Sequence, residues 1–258
     1  MQLDLNTSLS IAVDAAKTAG RILKEGCGLR EINVADRKDV KLKADVESEQ
    51  VIRKILGNAS HFPIIGEEIG GDVSLTEKDA CYWIVDPLDG TFNYLRDFPM
   101  TCVSIGLCRG REPILGVIYD FNHDNCYTGA DGIALACNGV PLKPAWASDL
   151  NSAALATGFP VGRDFSSAAL NSFVAKVQAF KKIRMVGSAA MALALVASGR
   201  CDAYYEESIR LWDVAAGLAL VKSAGGSIHI GPSSAKDKPL AYNVAAAAAE
   251  DWIQAYLV

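Results

Sequence analysis

One run, YWIVDPLDGTFNYLRDFP at positions 82–99, constrains this chain more than any other. It begins as a short buried strand over 82–85 and breaks on Asp86, Pro87, Leu88, Asp89, Gly90 and Thr91. Pro87 fixes its own φ and offers no N–H, so the backbone turns between Asp86 and Asp89 and presents both carboxylates on one side. Gly90 lets backbone approach an anion closely. Gly-Thr at a helix start leaves N–H groups and the positive end of the helix dipole facing outward. A cation site would then abut an anion site. Read alone, the same residues also spell an ordinary solvated turn.

Two other places favour the chemical reading. Gly66-Glu67-Glu68 follows an apolar, strand-like run over 62–65, and Trp212-Asp213 stands where a long helix begins. Acids at the ends of several elements can converge in a fold, and unit charges a few ångströms apart repel by kilocalories unless cations intervene. Glu67, Asp86, Asp89 and Asp213 form an all-oxygen set, which selects hard ions such as Mg2+ or Mn2+ and argues against zinc or copper. Glu68, adjacent to Glu67, reads as a supporting or structural acid.

The blocks GEE, WIVDPLDGTFNY and LWDVAAG resemble, in order and separation, those of the inositol monophosphatase family of magnesium-dependent, lithium-sensitive phosphatases. The likeness covers roughly residues 14–248. It implies an α+β fold, a layered αβαβα sandwich with an antiparallel-rich N-terminal sheet and a smaller α/β C-terminal half. It implies one Mg2+ on Glu67, Asp86 and the carbonyl oxygen of Leu88, and a second on Asp86, Asp89 and Asp213. A third, weaker ion would lie near Glu67, and Mn2+ would substitute. Glu67, Thr91 and Asp45 would orient and deprotonate the attacking water, and backbone N–H groups of Gly90 and Thr91 would hold phosphate. Glu206, in DAYYEESIR, aligns with a glutamate that accepts hydrogen bonds from ring hydroxyls, so the implied substrate is a small polyol phosphate such as inositol monophosphate, with Asp213 also beside it. Relatives acting on nucleotide bisphosphates, fructose bisphosphate or histidinol phosphate share the metal motifs. The family also implies a homodimer.

Two of these residues have plainer readings. Asp45 precedes a helix predicted over 46–56 and reads as its N-cap. Gly187, Ser188 and Ala189 open another helix, whose free N–H groups make either a cap or a second anion- or hydroxyl-binding end. The segment before Asp45 departs from the family pattern. Val34 stands where a lysine is usual, and DVKLKAD replaces D-L-V-T-x-x-D.

Rival chemistries lack their residues. A covalent aspartyl phosphatase wants D-x-D-x-T, a cysteine phosphatase C-x5-R, and neither occurs; His61, His123 and His229 lie outside the motifs. A non-catalytic regulatory protein on the same fold would be signalled by loss of a metal carboxylate or Thr91, and all are present.

At 258 residues the chain can bury a large core as one domain or two fused halves. The polar stretch at 143–151 is the expected join, giving halves 1–142 (GEE and DPLDGT) and 143–258 (WD and the alcohol pocket). A formal net charge of -5 and the lack of a basic cluster argue against nucleic acid. No apolar run approaches the ~20 residues of a membrane span, and no leader opens the chain, so a cytoplasmic protein is expected. Seven scattered cysteines without CxxC pairing read as reduced core thiols.

Apolar periodicity predicts helices over 10–23, 167–180, 188–197 and 211–224. It predicts strands over 39–45, 101–108, 113–121, 126–128, 133–137, 153–157, 183–186, 202–206 and 227–230. The first half reads as antiparallel, the second alternates strands with helices. Residues 70–79 read as a surface loop, and the alanines at 245–249 as the start of the last helix.

Overall fold

In the computed structural model, which describes residues 4–26, 32–35, 40–159, 164–233, 235 and 238–254, the apolar run over 82–85 lies inside a nine-residue strand. Along the first part of the chain run α1 (Leu5–Glu25), β1 (Ile32–Ala35), β2 (Val40–Leu42), α2 (Lys43–Ala59) and β3 (Ile64–Gly66). A 3-10 turn (Val73–Glu77) leads to β4 (Cys81–Asp89), α3 (Thr91–Leu95), β5 (Cys102–Arg109) and β6 (Glu112–Asp120). Next are β7 (Asn125–Ala130), β8 (Ile133–Cys137), β9 (Val140–Pro141), β10 (Ala154–Thr157), α4 (Ser167–Val177) and β11 (Lys182–Arg184). The chain closes with α5 (Ala189–Ala197), β12 (Ala203–Arg210), α6 (Leu211–Ser223), β13 (Ser227–Pro232), β14 (Ala241–Ala247) and α7 (Glu250–Trp252).

Strands β3 to β9 form a seven-stranded sheet in sequence order, antiparallel except for the β3–β4 pair. A five-stranded sheet has the order β11-β10-β12-β14-β13, parallel across β11-β10-β12 and antiparallel beyond. Strands β1 and β2 make a separate antiparallel pair.

Period-2 alternation gives the larger sheet two apolar faces. Trp83 and Val85 face α1 and α2, packing with Ala12, Ala16, Leu23, Ile52 and Leu56. Tyr82 and Ile84 face the other way, towards Leu193 and Val196 of α5 and Val214, Leu218 and Val221 of α6. Those two helices are buried around nearly their whole circumference, as helices between two sheets must be. They also cover Ala156, Tyr204, Val244 and Ala246 of the smaller sheet, whose far face packs on Phe180 and Trp252. The result is the expected αβαβα sandwich, with α5 and α6 as the middle layer.

Several predicted boundaries move. The helix over 10–23 begins at Leu5, capped by Asp4. The strand over 202–206 runs on to Arg210, and the 70–79 stretch holds the 3-10 turn with Leu75 and Thr76 buried. The largest correction concerns the alanine run: residues 241–247 form β14, between β12 and β13, and α7 starts only at Glu250. Alanine's helix preference is worth only tenths of a kcal/mol per residue over most others. Ala245, Ala246 and Ala247 are buried with helices above and below, where small side chains let the layers close. Gly28, Cys27 and Asp39 lie outside the described residues, and of Val34 only the backbone is described.

Candidate active site

The DPLD segment does not end the strand, as the sequence suggested, but bulges within it. Asp86 pairs with Ser104 and Asp89 with Cys102, so three steps on β4 oppose two on β5. Residues three apart in an uninterrupted strand face opposite sides; one extra residue returns them to the same side. Pro87, which has no N–H to give a ladder, sits in the bulge. The Leu88 N–H donates to Asp86 Oδ1 at 3.0 Å, and Thr91 Oγ1 donates to the Leu88 carbonyl at 3.1 Å.

Glu67 arrives from the neighbouring strand. The parallel register sets Gly66 opposite Val85, and the Glu67 N–H donates to the Val85 carbonyl at 3.1 Å, which places Glu67 level with Asp86. Asp213 comes from the middle layer, in the first turn of α6, where its Oδ2 accepts the Arg210 N–H at 3.3 Å. One oxygen from each of Glu67, Asp86 and Asp213 lies within 4.8 Å of the others. Neither Asp89 nor Glu68 joins that group.

Asp89 is turned towards α5. Its Oδ2 accepts from Ser188 Oγ at 2.7 Å and from the Ala190 N–H at 2.6 Å, and the N–H groups of Gly90 and Met191 also favour its charged form. Ser188 Oγ in turn accepts the Met191 N–H at 3.2 Å. The α5 start, read from sequence as an end with free N–H groups at Gly187, Ser188 and Ala189, therefore already has a carboxylate on it. Gly90 takes a left-handed conformation (φ 88°), which its lack of a Cβ permits.

Burial and like charge make this cluster costly for carboxylates. Asp86 is pushed well above the usual range, by burial first and then by Glu67, Asp89 and Asp213. Asp213 is pushed the same way by burial, Glu67, Asp89 and Glu206. Asp89 rises only to about 6, because hydrogen bonds from Ser188 and α5 oppose its burial. The groups that shift these acids are other acids and N–H or O–H donors. A cation fits such a site, and oxygen donors select a hard one.

Asp45 is buried on α2, inside the first turn rather than ahead of the helix, and its Oδ2 accepts the Leu42 N–H at 2.7 Å. Helix α3, which Thr91 opens, packs against β2 beside it. Glu206 is buried and close enough to raise Asp213. A Cβ on Gly158 would stand 2.5 Å from Glu206 Oε1. A β12 bulge between Glu206 and Ile209 follows, with Ser208 at φ 60° donating its N–H to Asn243 Oδ1 at 3.1 Å. Asn93 went unassigned in the sequence although it lies within the motif. Its Nδ2 donates to the Met100 and Val186 carbonyls at 2.9 and 2.8 Å, fastening α3 to the turn before α5.

The sequence model of the inositol monophosphatase family matches residues 4–257. The chain belongs to that family. This inositol monophosphatase family member is 40% identical over 226 residues to the Nus factor SuhB of Xylella fastidiosa, covering 86% of this chain and 81% of that one. It is 36% identical over 230 residues to the fructose-1,6-bisphosphatase/inositol-1-monophosphatase of Aquifex aeolicus, covering 86% and 85%. Among solved structures it resembles the inositol monophosphatase of Anabaena (Nostoc), with a TM-score of 0.80 and 34% identity over 98% of this chain and 94% of that one. The family is one of metal-dependent phosphatases, so the activity at this resolution is phosphomonoester hydrolysis of a small phosphorylated substrate. Among the described residues no helix is long and apolar enough to cross a membrane.

Proposed function

We propose that this family member hydrolyses a small polyol phosphate of the inositol monophosphate class, with two or three Mg2+ ions and with Mn2+ able to replace them. The convergence of Glu67, Asp86 and Asp213 carries the reading. Those three residues, with Asp89 and the Leu88 carbonyl, would hold the ions. When bound, Mg2+ supplies Lewis-acid polarisation and lowers the pKa of a bound water.

The chain's own groups do the rest. Glu67, with Thr91 and Asp45, takes up the proton of the attacking water and fixes its direction. The backbone of Gly90 and Thr91 faces the phosphate, and Glu206 accepts from hydroxyls of the departing alcohol, next to Asp213 and the turn at Gly187, Ser188 and Ala189. Phosphoryl transfer asks mainly for this kind of positioning and charge neutralisation. Lithium sensitivity, a homodimer and a cytoplasmic location are drawn from the family likeness and the sequence.

A second substrate deserves the same assay, because the Aquifex relative's name couples fructose-1,6-bisphosphatase with inositol-1-monophosphatase. The Xylella relative's name, a Nus factor, raises a non-catalytic alternative, against which the retained carboxylates weigh. Phosphate release should be measured on inositol 1-phosphate, fructose 1,6-bisphosphate, a nucleotide 3',5'-bisphosphate and histidinol phosphate, with Mg2+ and with EDTA. Fastest release from inositol 1-phosphate, abolished by EDTA and reduced by Li+, is expected. Release that persists in excess EDTA, or none on any substrate, overturns the proposal.

A further inference from the structure

The turn that carries Glu67 is gripped from α2 by two side chains with no part in the site described above. Glu49 is fully buried, and a buried carboxylate persists only where donors satisfy it. Its donors are specific. The Glu68 N–H reaches Oε2 at 2.7 Å, the Ile69 N–H bridges both oxygens at 3.3 Å, and Arg53 Nε donates to Oε1 at 2.7 Å.

Arg53 then spans the two ends of the same turn. One of its N–H groups reaches the Ile64 carbonyl at 3.4 Å on β3, and another donates to the Gly70 carbonyl. The ends are also tied directly, by reciprocal Gly66–Gly70 backbone hydrogen bonds of 3.1 Å. Gly66 makes room for the carboxylate, since a Cβ there would stand 2.1 Å from Glu49 Oε1 and 2.4 Å from its Cδ. Glu67 differs from its two successors, because its N–H goes across to Val85 on β4 rather than to Glu49. The turn is thus held by Glu49 on one side and by β4 on the other.

We propose that Glu49 and Arg53 are positioning residues for Glu67, holding its turn so that its carboxylate meets Asp86 and Asp213. The assignment rests on the reading of Glu67 as a cation ligand. A ligand on a short turn needs such support, because a constellation loosened by an ångström loses its geometry. A buried ion pair is weak support for stability alone, since apolar side chains often replace one without loss. Two consecutive N–H groups aimed at one carboxylate instead fix the direction of a turn.

The test uses the whole chain and needs no turnover: Mn2+ binding to metal-stripped protein, followed by the EPR signal of free Mn2+, well below the melting temperature. Groups behind a metal ligand typically hold about 10- to 100-fold in metal affinity. Glu49→Gln turns one acceptor oxygen into a donor facing N–H groups, and should weaken Mn2+ binding on the order of tenfold. Arg53→Lys, which keeps the charge but loses the fork, should weaken it less, and it carries the comparison if Glu49→Gln does not fold. In an E67Q background the effect of E49Q should vanish, because the residue it acts through is gone. Unchanged Mn2+ affinity in E49Q and R53K beside a weakened E67Q, even with a lowered Tm, overturns the proposal. Unchanged affinity in E67Q overturns the reading of Glu67 as a ligand, and the proposal with it, so that single variant separates the two failures.

Discussion

Asp89 Oδ2 lies 2.7 Å from Ser188 Oγ, and this contact joins the end of β4 in the larger sheet to the start of α5 in the middle layer. The Ala190 N–H shares the same oxygen at 2.6 Å, so a helix N-terminus, favourable to negative charge, partly neutralises one acid of the cluster. Asp89 is nonetheless raised to about 6, by burial. Between about pH 4, where an unfolded aspartate titrates, and pH 6, the folded protein holds a proton that the unfolded chain has released. The stabilisation present at low pH is therefore lost as pH rises through about 6.

Asp89→Asn in metal-stripped protein should consequently be more stable than the parent at pH 7, by up to about 2–3 kcal/mol and with a higher Tm, and show no such gain near pH 4. With Mg2+, kcat should fall by about 10²-fold or more, the usual loss for one electrostatic contact to a transition state. Calorimetry in EDTA at the two pH values and steady-state kinetics check both halves. A gain at pH 4 that disappears at pH 7 would reverse the sign argued here.

The acids of the site were legible because each interrupts an apolar period: Glu67 after β3, Asp86 within β4 and Asp213 at the head of α6. The bulge was not, because Pro-x-Asp-Gly spells a turn locally and only pairing with β5 keeps the strand going to Asp89. Nor could a sequence show that α5 takes the Asp89 carboxylate, since the partners are 99 and 101 residues apart. Glu49 is one more acid on a helix until the turn 19 residues on presents its N–H groups. Asp45 reads as an N-cap from sequence, but the N-cap is Leu42, and Asp45 is the third residue of the helix, its carboxylate reaching back to the Leu42 N–H.

The alanine strand yields a stability prediction. Ala246 is fully buried near the C-terminal end of β14, paired with Tyr204 and Ile228. Ala246→Leu would be nearly neutral on a helix surface, but in this strand the added methylenes meet the middle layer and should cost about 1–3 kcal/mol. Urea denaturation of the variant measures it. An unchanged midpoint would return residues 245–249 to the helical reading.

Thiol reactivity gives a separate handle on the core. Burial pushes the Cys108 thiol up to about 12 and the Cys126 thiol to about 11, so at pH 8 both stay protonated and poorly nucleophilic. Iodoacetamide at pH 8 should leave both unmodified in the native protein over a period that fully labels the chain in denaturant. Peptide mass spectrometry reads the two sites directly. Labelling at equal rates in the native and denatured forms would contradict their burial.

The alcohol pocket is tested by Glu206. It is buried, stands against the bare backbone of Gly158, and is near enough to Asp213 to raise it. Glu206→Ala removes a charge and an acceptor together, and the two losses are separable by substrate. The lost charge alters Asp213, and through it the metal requirement, equally for every phosphomonoester. The lost acceptor matters only to a substrate with hydroxyls to offer. A hydrogen bond to a charged acceptor is worth about 1.5–3 kcal/mol. On inositol 1-phosphate kcat/KM should therefore fall about ten- to a hundredfold further than on a phosphomonoester without those hydroxyls. Equal losses on the two substrates would remove the polyol contact from Glu206 and shift the preferred substrate towards a nucleotide or another phosphomonoester.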